Sequence, residues 1–206
     1  MDVPIRTGEL HAAHRGRLAS ILHATSVFSD AEVGVALELF DEAVTGSVTR
    51  DAGPEPSPAR PGRDAMVSRP APRVPLPAPS PDYLVLGAFT PEDELVGYAC
   101  YGPTPETDRT FDLYWIAVDP SAHGTGIGTL LLSEVERRLQ GQDARLVVVE
   151  TSSRSEYAGT RAFYAARGYR ECARVRGFYA PGDDRITLSK RFHHTRPRGE
   201  ESSHHE

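Results

Sequence analysis

A single mixed α/β domain is the fold class this chain predicts, and three observations predict it. At 206 residues the chain has room for one ordinary core and one active site, not for two independent folding units. Its centre, Phe111 to Thr151, reads as strand, glycine loop, amphipathic helix and strand, which is a crossover between parallel strands. The flanking stretches, Tyr83 to Gly102 before it and Cys172 to Lys190 after it, read as hairpins that add antiparallel pairs.

Each element has a local reason. A first short strand is expected at Val3 to Ile5, followed by helices over Glu9 to His23 and Asp30 to Val44. In the second helix Val33, Leu37 and Phe40 or Val44 recur every three or four residues after an N-cap at Ser29 or Asp30. Strands Tyr83 to Phe89 and Leu95 to Gly102 flank the polar breaker Thr90-Pro91-Glu92-Asp93-Glu94. Phe111 to Val118 is rich in aromatic and β-branched residues and is stopped by Asp119-Pro120.

Thr129 to Gln140 carries the apolar stripe Leu131, Leu132, Val135 and Leu139, with Glu134 and Arg138 four apart on its exposed side. The run Leu146-Val147-Val148-Val149 within Arg145 to Thr151 predicts a strand buried on both faces in a parallel pairing. A last helix over Tyr157 to Arg167 puts Ala158, Arg161 or Ala162, and Ala165 on successive turns and ends at Gly168. Strands Cys172 to Tyr179 and Arg185 to Lys190 close the domain around Pro181-Gly182-Asp183-Asp184.

Ten of the 17 prolines fall between Gly53 and Asp82, in a run almost without aromatic or β-branched residues. Such a run cannot offset its ordering entropy by burial, so 51–81 reads as a disordered insertion into a domain formed by 1–50 and 82–191. The polar stretch 192–206 reads as a disordered tail. No internal repeat is present.

The formal charge of -6 disfavours nucleic acid and favours a cationic partner. Two cysteines, Cys100 and Cys172, make no disulfide framework. The start of the chain lacks a basic segment followed by an apolar run, and no stretch approaches a membrane span. Cytoplasmic placement is therefore expected, with no membrane partner. A homodimer is left open.

Glycines at 124, 126 and 128, directly after a strand and before a helix, turn backbone N–H groups toward one point. With the helix dipole behind them those donors favour an anion, and a pyrophosphate suits them. No Lys-Ser/Thr pair follows, and the Gly-x-Gly-x-Gly step is not the dinucleotide Gly-x-Gly-x-x-Gly. A ligand-free connection is the plain alternative for such a loop.

Two longer segments decide between these readings. Leu113 to Leu131, which includes Asp119-Pro120-Ser121-Ala122-His123-Gly124-Thr125-Gly126-Ile127-Gly128, resembles the acetyl-coenzyme A signature of the GNAT N-acetyltransferase superfamily. Arg161-Ala162-Phe163-Tyr164-Ala165-Ala166-Arg167-Gly168-Tyr169 resembles that family's second signature, and the two come in the family's order. The resemblance covers roughly Val3 to Arg191, apart from the insertion.

The resemblance implies a mixed, mostly antiparallel sheet flanked by helices, with two central parallel strands splayed to admit the coenzyme. It implies acetyl-coenzyme A as co-substrate and an amine as acceptor, with coenzyme contacts at Ile116, Ala117, Val118, His123, Gly124, Thr125, Gly126, Ile127, Gly128, Thr129, Thr151, Ser152 and Tyr157. Backbone groups of Ile116 and Val118 would meet the pantetheine arm. Two positions depart from the family pattern: His123 stands where the loop usually opens with Arg or Gln, and Tyr157 where an Asn is common.

Attack of an amine on a thioester needs a neutral amine, an oxyanion donor and a proton for the departing thiolate. Tyr164 holds the family's general-acid position, and a phenol near pKa 10 is set against a thiolate near 8.5. A backbone N–H near Ile116 to Val118 is the oxyanion candidate. The base stays open among Glu38, Glu42, Asp112 and Glu150, with Tyr101 or Tyr114 holding a water.

Four further readings complete the sequence. Cys100 and Trp115 read as packing, and the turn Pro181 to Asp184 is as well explained by solvation as by an acceptor site. His193, His194, His204 and His205 give no metal site, since paired histidines on a tail rarely chelate specifically. A non-catalytic acyl-coenzyme A-binding module is the rival to the enzyme, and retention of Tyr164 favours the enzyme.

Overall fold

The computed structural model describes residues 5–48 and 83–192. The proline-rich stretch 51–81 and the tail from 193 lie outside them. Seven strands form one sheet: β1 (Arg6–Glu9), β2 (Leu84–Phe89), β3 (Leu95–Pro103), β4 (Thr110–Val118), β5 (Leu146–Ser152), β6 (Arg170–Ala180) and β7 (Asp183–Arg191). Among the described residues four α-helices flank it: α1 (Arg15–Ala24), α2 (Asp30–Val48), α3 (Ile127–Gly141) and α4 (Ala158–Ala165). Spatial order is β1-β2-β3-β4-β5-β7-β6, and every neighbouring pair is antiparallel except β4 and β5.

Alternation along β3 divides two cores. Ala99 and Tyr101 join Leu131, Leu132, Val135 and Leu139 of α3, while Tyr98 and Cys100 join Leu18, Ile21 and Leu22 of α1 and Val33, Ala36 and Phe40 of α2. The predicted α3 stripe is at most 1% exposed at all four positions. Each such side chain contributes about 1.5–3 kcal/mol by leaving water.

The predicted capping of α2 settles on Ser29. Its hydroxyl accepts from the Glu32 amide at 3.3 Å, while its own N–H donates to Glu32 Oε2 at 2.7 Å. The helix runs four residues further than expected. The first described strand is Arg6–Glu9, an edge defined by pairing with β2 and not by apolar content; of the expected Val3 to Ile5, positions 3 and 4 lie outside the described residues. Glu9 belongs to that strand, so the first helix starts only at Ala12 as a 3₁₀ turn that becomes α-helical at Arg15.

In the last helix Ala158, Ala162 and Ala165 are exposed, and the buried residues are Tyr157 and Tyr164, whose rings have far more apolar area to hide. Gly168 does supply the left-handed residue expected after it, at φ 86°. In β5, Val147 and Val149 enter the core but Val148 faces a cavity, because successive side chains of a strand point to opposite faces and only one face of β5 is packed there. Glu134 is likewise not on open surface, since its side chain is 16% exposed between Arg137 and Arg138.

Candidate active site

Strands β4 and β5 pair at Thr110 with Leu146, Phe111 with Val147 and Asp112 with Val148, and then part. Beside the point of separation β4 carries a bulge: Trp115 faces Cys100 and Leu113 faces Tyr101, which leaves Tyr114 as the extra residue. The parting opens a cavity of about 1250 Å³. Its lips are Leu113 to Val118 and Val148 to Ser152, α2 lies over it, and Tyr157, Tyr164 and Asp183 complete its wall.

Of the residues singled out in sequence, Ile116, Ala117, Val118, His123, Thr151, Ser152, Tyr157 and Tyr164 line this one cavity. So do Asp112, Tyr114 and Glu150 among the candidate bases. Glu38 and Glu42 are instead exposed on α2 away from it, and Tyr101 is 2% exposed in the α3 core. Trp115 is more than packing, since it borders the cavity with its ring 5.1 Å from that of Phe28.

The loop after β4 ends beside the cavity at His123. Gly124 and Gly126 have φ of 79° and 88°, with open space where a Cβ would stand, so the chain leaves room for a ligand against its backbone. Gly126 is the N-cap of α3 without a side-chain cap, and the first helical bond runs from the Leu130 amide to the Gly126 carbonyl. The amides of Ile127, Gly128 and Thr129 therefore precede the helix's own bonding and face outward with the dipole behind them. This donor set fits a pyrophosphate.

Side chains around that backbone serve the protein itself. His123 bonds through Nε2 to the Val118 carbonyl at 2.9 Å, and the Thr125 hydroxyl donates to the Ala122 carbonyl at 2.7 Å. Ile127 is buried in the core, and a Cβ on Gly128 would press the Phe163 ring at 3.3 Å, so that third glycine is a packing requirement between α3 and α4. Asp119 starts the loop by accepting from the Ser121 amide at 2.9 Å and from Arg17 of α1 at 2.7 Å.

Tyr164 is 2% exposed, with its ring 5.2 Å from those of Phe163 and Tyr169. Burial pushes its phenol pKa up, so it holds its proton across the physiological range. Donation from it suits a thiolate raised by the same desolvation, not one at its aqueous value. Cys100, 1% exposed, has its thiol pushed up to about 12 by burial, which removes it as a nucleophile.

Three polar features mark the site, and of these only Arg167 was given no role in the sequence reading. Asp183, 8% exposed, accepts from the Ser152 hydroxyl at 2.5 Å and lies 3.4 Å from Arg154 Nε. Its signal was hidden in a Pro-Gly-Asp-Asp stretch that reads as an ordinary turn. Arg167 lies over the Phe163 ring at 3.8 Å and donates to the Thr129 hydroxyl, which sets a fixed cation beside the start of α3. Its place in the second signature could have flagged it. Thr151 is 6% exposed and its hydroxyl has no hydrogen-bond partner among the described residues.

The same architecture occurs in known proteins. A family model described as the acetyltransferase (GNAT) family matches residues 55–169, more than half of the chain. The chain belongs to the GNAT family of acetyltransferases. A GNAT-family acetyltransferase structure from Desulfovibrio desulfuricans is similar to it at 32% identity, covering 92% of this chain and 98% of the other with a TM-score of 0.71. At 15% identity, the ribosomal-protein-S18-alanine N-acetyltransferase from Escherichia coli shares the fold over 90% of this chain and 92% of its own, with a TM-score of 0.61.

At 14% identity, PaiA N-acetyltransferase from Thermoplasma acidophilum, solved with coenzyme A, shares the fold over 92% of this chain and 99% of its own, with a TM-score of 0.60. No curated protein matches significantly. Among the described residues of this acetyltransferase no group of His, Cys, Asp or Glu could hold a metal ion, and no helix is long and apolar enough to cross a membrane. The four tail histidines lie outside the described residues.

Proposed function

We propose that this acetyltransferase moves the acetyl group of acetyl-coenzyme A to a primary amine of a small molecule or peptide by direct attack, without a covalent enzyme intermediate. One observation carries the reading: β4 and β5 part after three paired positions, and the gap holds the buried phenol of Tyr164.

The residues support a division of labour. Backbone amides from Gly124 to Thr129 would hold the pyrophosphate, with the Arg167 guanidinium adding charge beside Thr129. Backbone groups of Ile116, Ala117 and Val118 on one lip, and Thr151 and Ser152 on the other, would line the path of the pantetheine arm. Bound there, acetyl-coenzyme A supplies an activated thioester whose C–S bond breaks as the amine nitrogen bonds to the carbonyl carbon. Tyr164 would give its proton to the leaving sulfur and regain one from the attacking nitrogen through water, so the amine's lost proton balances the thiol formed. A backbone N–H near Ile116 to Val118 would face the oxyanion. The cytoplasm suits both free thiols, Cys100 and Cys172.

The test is release of coenzyme A thiol with free amino acids, alkyl amines, aminoglycosides and peptide N-termini as acceptors. Tyr164→Phe should lower turnover about 100-fold while the Kd for coenzyme A stays within about twofold. Unchanged turnover at saturating substrate removes Tyr164 from its role.

A further inference from the structure

We propose that Arg17, on α1 and outside the cavity, is a positioning residue for the coenzyme: it fixes the turn from which the glycine loop hangs. The inference rests on the reading above that the loop amides hold a pyrophosphate, and deepens it by saying what holds the amides.

Arg17 reaches three acceptors. Its Nε donates to the Leu95 carbonyl at the start of β3 at 3.0 Å, and one terminal nitrogen donates to Asp119 Oδ2 at 2.7 Å and lies 3.1 Å from Glu94 Oε1. Asp119 directly follows the last residue of β4. The guanidinium thus joins α1 to the β2–β3 hairpin and to the first residue of the coenzyme loop at once, which its planar fork allows and a single ammonium does not.

The two oxygens of Asp119 have separate duties. Oδ1 accepts from the Ser121 amide at 2.9 Å and from the Ser121 hydroxyl at 2.6 Å, which closes the single turn Pro120–Ala122, and Oδ2 is left for Arg17. Without Arg17, a carboxylate only 12% exposed would lose the cation it pairs with and turn toward water, loosening the closure of that turn.

The rest of the loop takes its position from the same turn. His123 bonds to the Val118 carbonyl and the Thr125 hydroxyl to the Ala122 carbonyl, so both side chains refer back to residues 118–122. Gly124 and Gly126 have no side chain to anchor them elsewhere, and at φ of 79° and 88° the aim of their amides follows from how the chain enters and leaves. A shift at the turn is therefore passed on to the amides, whose hydrogen bonds to phosphate depend on direction. Helix α1 is secured independently by Leu18, Ile21 and Leu22, each 0% exposed, so losing Arg17 alters the loop and leaves the helix in place.

The test compares coenzyme A, bound in a calorimeter, with pantetheine, which keeps the arm and thiol but has no phosphate and is read by its displacement of coenzyme A. Arg17→Gln should weaken coenzyme A about tenfold and pantetheine by less than about twofold. Arg17→Lys should recover part of the loss. Glu94→Gln, at the partner that is 61% exposed, should stay within about twofold. Added to Asp119→Asn, Arg17→Gln should cost less than about a further twofold, because it acts through that carboxylate. Unchanged affinity for coenzyme A, equal losses for both ligands, or fully additive losses in the double variant overturn the assignment. A wild-type protein that binds pantetheine as tightly as coenzyme A sinks the pyrophosphate reading and the inference with it, whereas a wild-type preference that persists in Arg17→Gln sinks the inference alone.

Discussion

The glycine-loop end of the cavity comes from a short run of chain, Asp119 to Thr129, whereas the opposite end is assembled from α2, β4, β5 and β7, which lie far apart in sequence. At the loop end the working groups are backbone amides, and the side chains mostly hold the loop in shape. At the other end they are carboxylates and aromatic rings. Conformation makes the first and composition makes the second, so the two should answer differently to substitution.

The largest expected effect breaks the loop end at Gly126. Its φ of 88° strains any β-branched residue by about 1–2 kcal/mol, and a side chain there would enter the open space above the loop. Gly126→Val should weaken coenzyme A binding by about 100-fold or more, read by calorimetry. His123→Ala should stay within about threefold, because that ring serves the Val118 carbonyl. Comparable losses in both would mean that loop side chains hold the coenzyme after all.

Asp119 tests how the loop end is tied to the rest. Its carboxyl is held below the usual aspartate range chiefly by the Ser121 hydroxyl and amide, then by Arg17, while desolvation opposes them. A lowered folded pKa contributes stability above the unfolded value of 3.8 and loses it as pH falls through the folded value. Asp119→Ala should therefore cost about 1–3 kcal/mol near neutral pH, and the gap from wild type should narrow in acid, as pH falls through the lowered folded value. Denaturant unfolding at neutral and at acid pH measures it; a gap that persists in acid would place the loss in packing.

Arg167→Ala should weaken coenzyme A about five- to tenfold, with Arg167→Lys recovering part of the loss, since charge beside Thr129 is kept but the stack on Phe163 is not. A shortened substrate lacking phosphates should show no difference between these variants. The smallest effect concerns neither end. A thiol reagent should modify one cysteine in the native protein, exposed Cys172, and two after unfolding, because Cys100 is buried with its thiol raised to about 12. Rapid native reaction at both would show that the α1 and α2 face opens readily.

Much of the loop end was legible from residue order. Glycines 124 and 126, the α3 stripe and the aromatic pair at 163 and 164 are local patterns, although α3 begins at Ile127, two residues before the expected Thr129. Even there, the sequence did not show that Gly128 also leaves room for the Phe163 ring. At the other end Asp112, Glu150, Thr151, Ser152 and Tyr157 were singled out one by one, with nothing to show that they meet. Asp183 sat in a turn-forming run, and Glu32 was not singled out.

By itself the sequence determined where strands and helices form, which helix faces are apolar and where backbone amides converge, because those properties depend on residues within a few positions of one another. Only the tertiary structure decided that β7 enters between β5 and β6, that β4 and β5 part after three positions, and that Asp183 meets Ser152 across 31 positions of chain. The physical reason is that strand order is chosen by the whole sheet's burial and pairing, a sum over distant residues with no local signature. The end of the cavity lined by α2 and β7 exists only after that choice has been made.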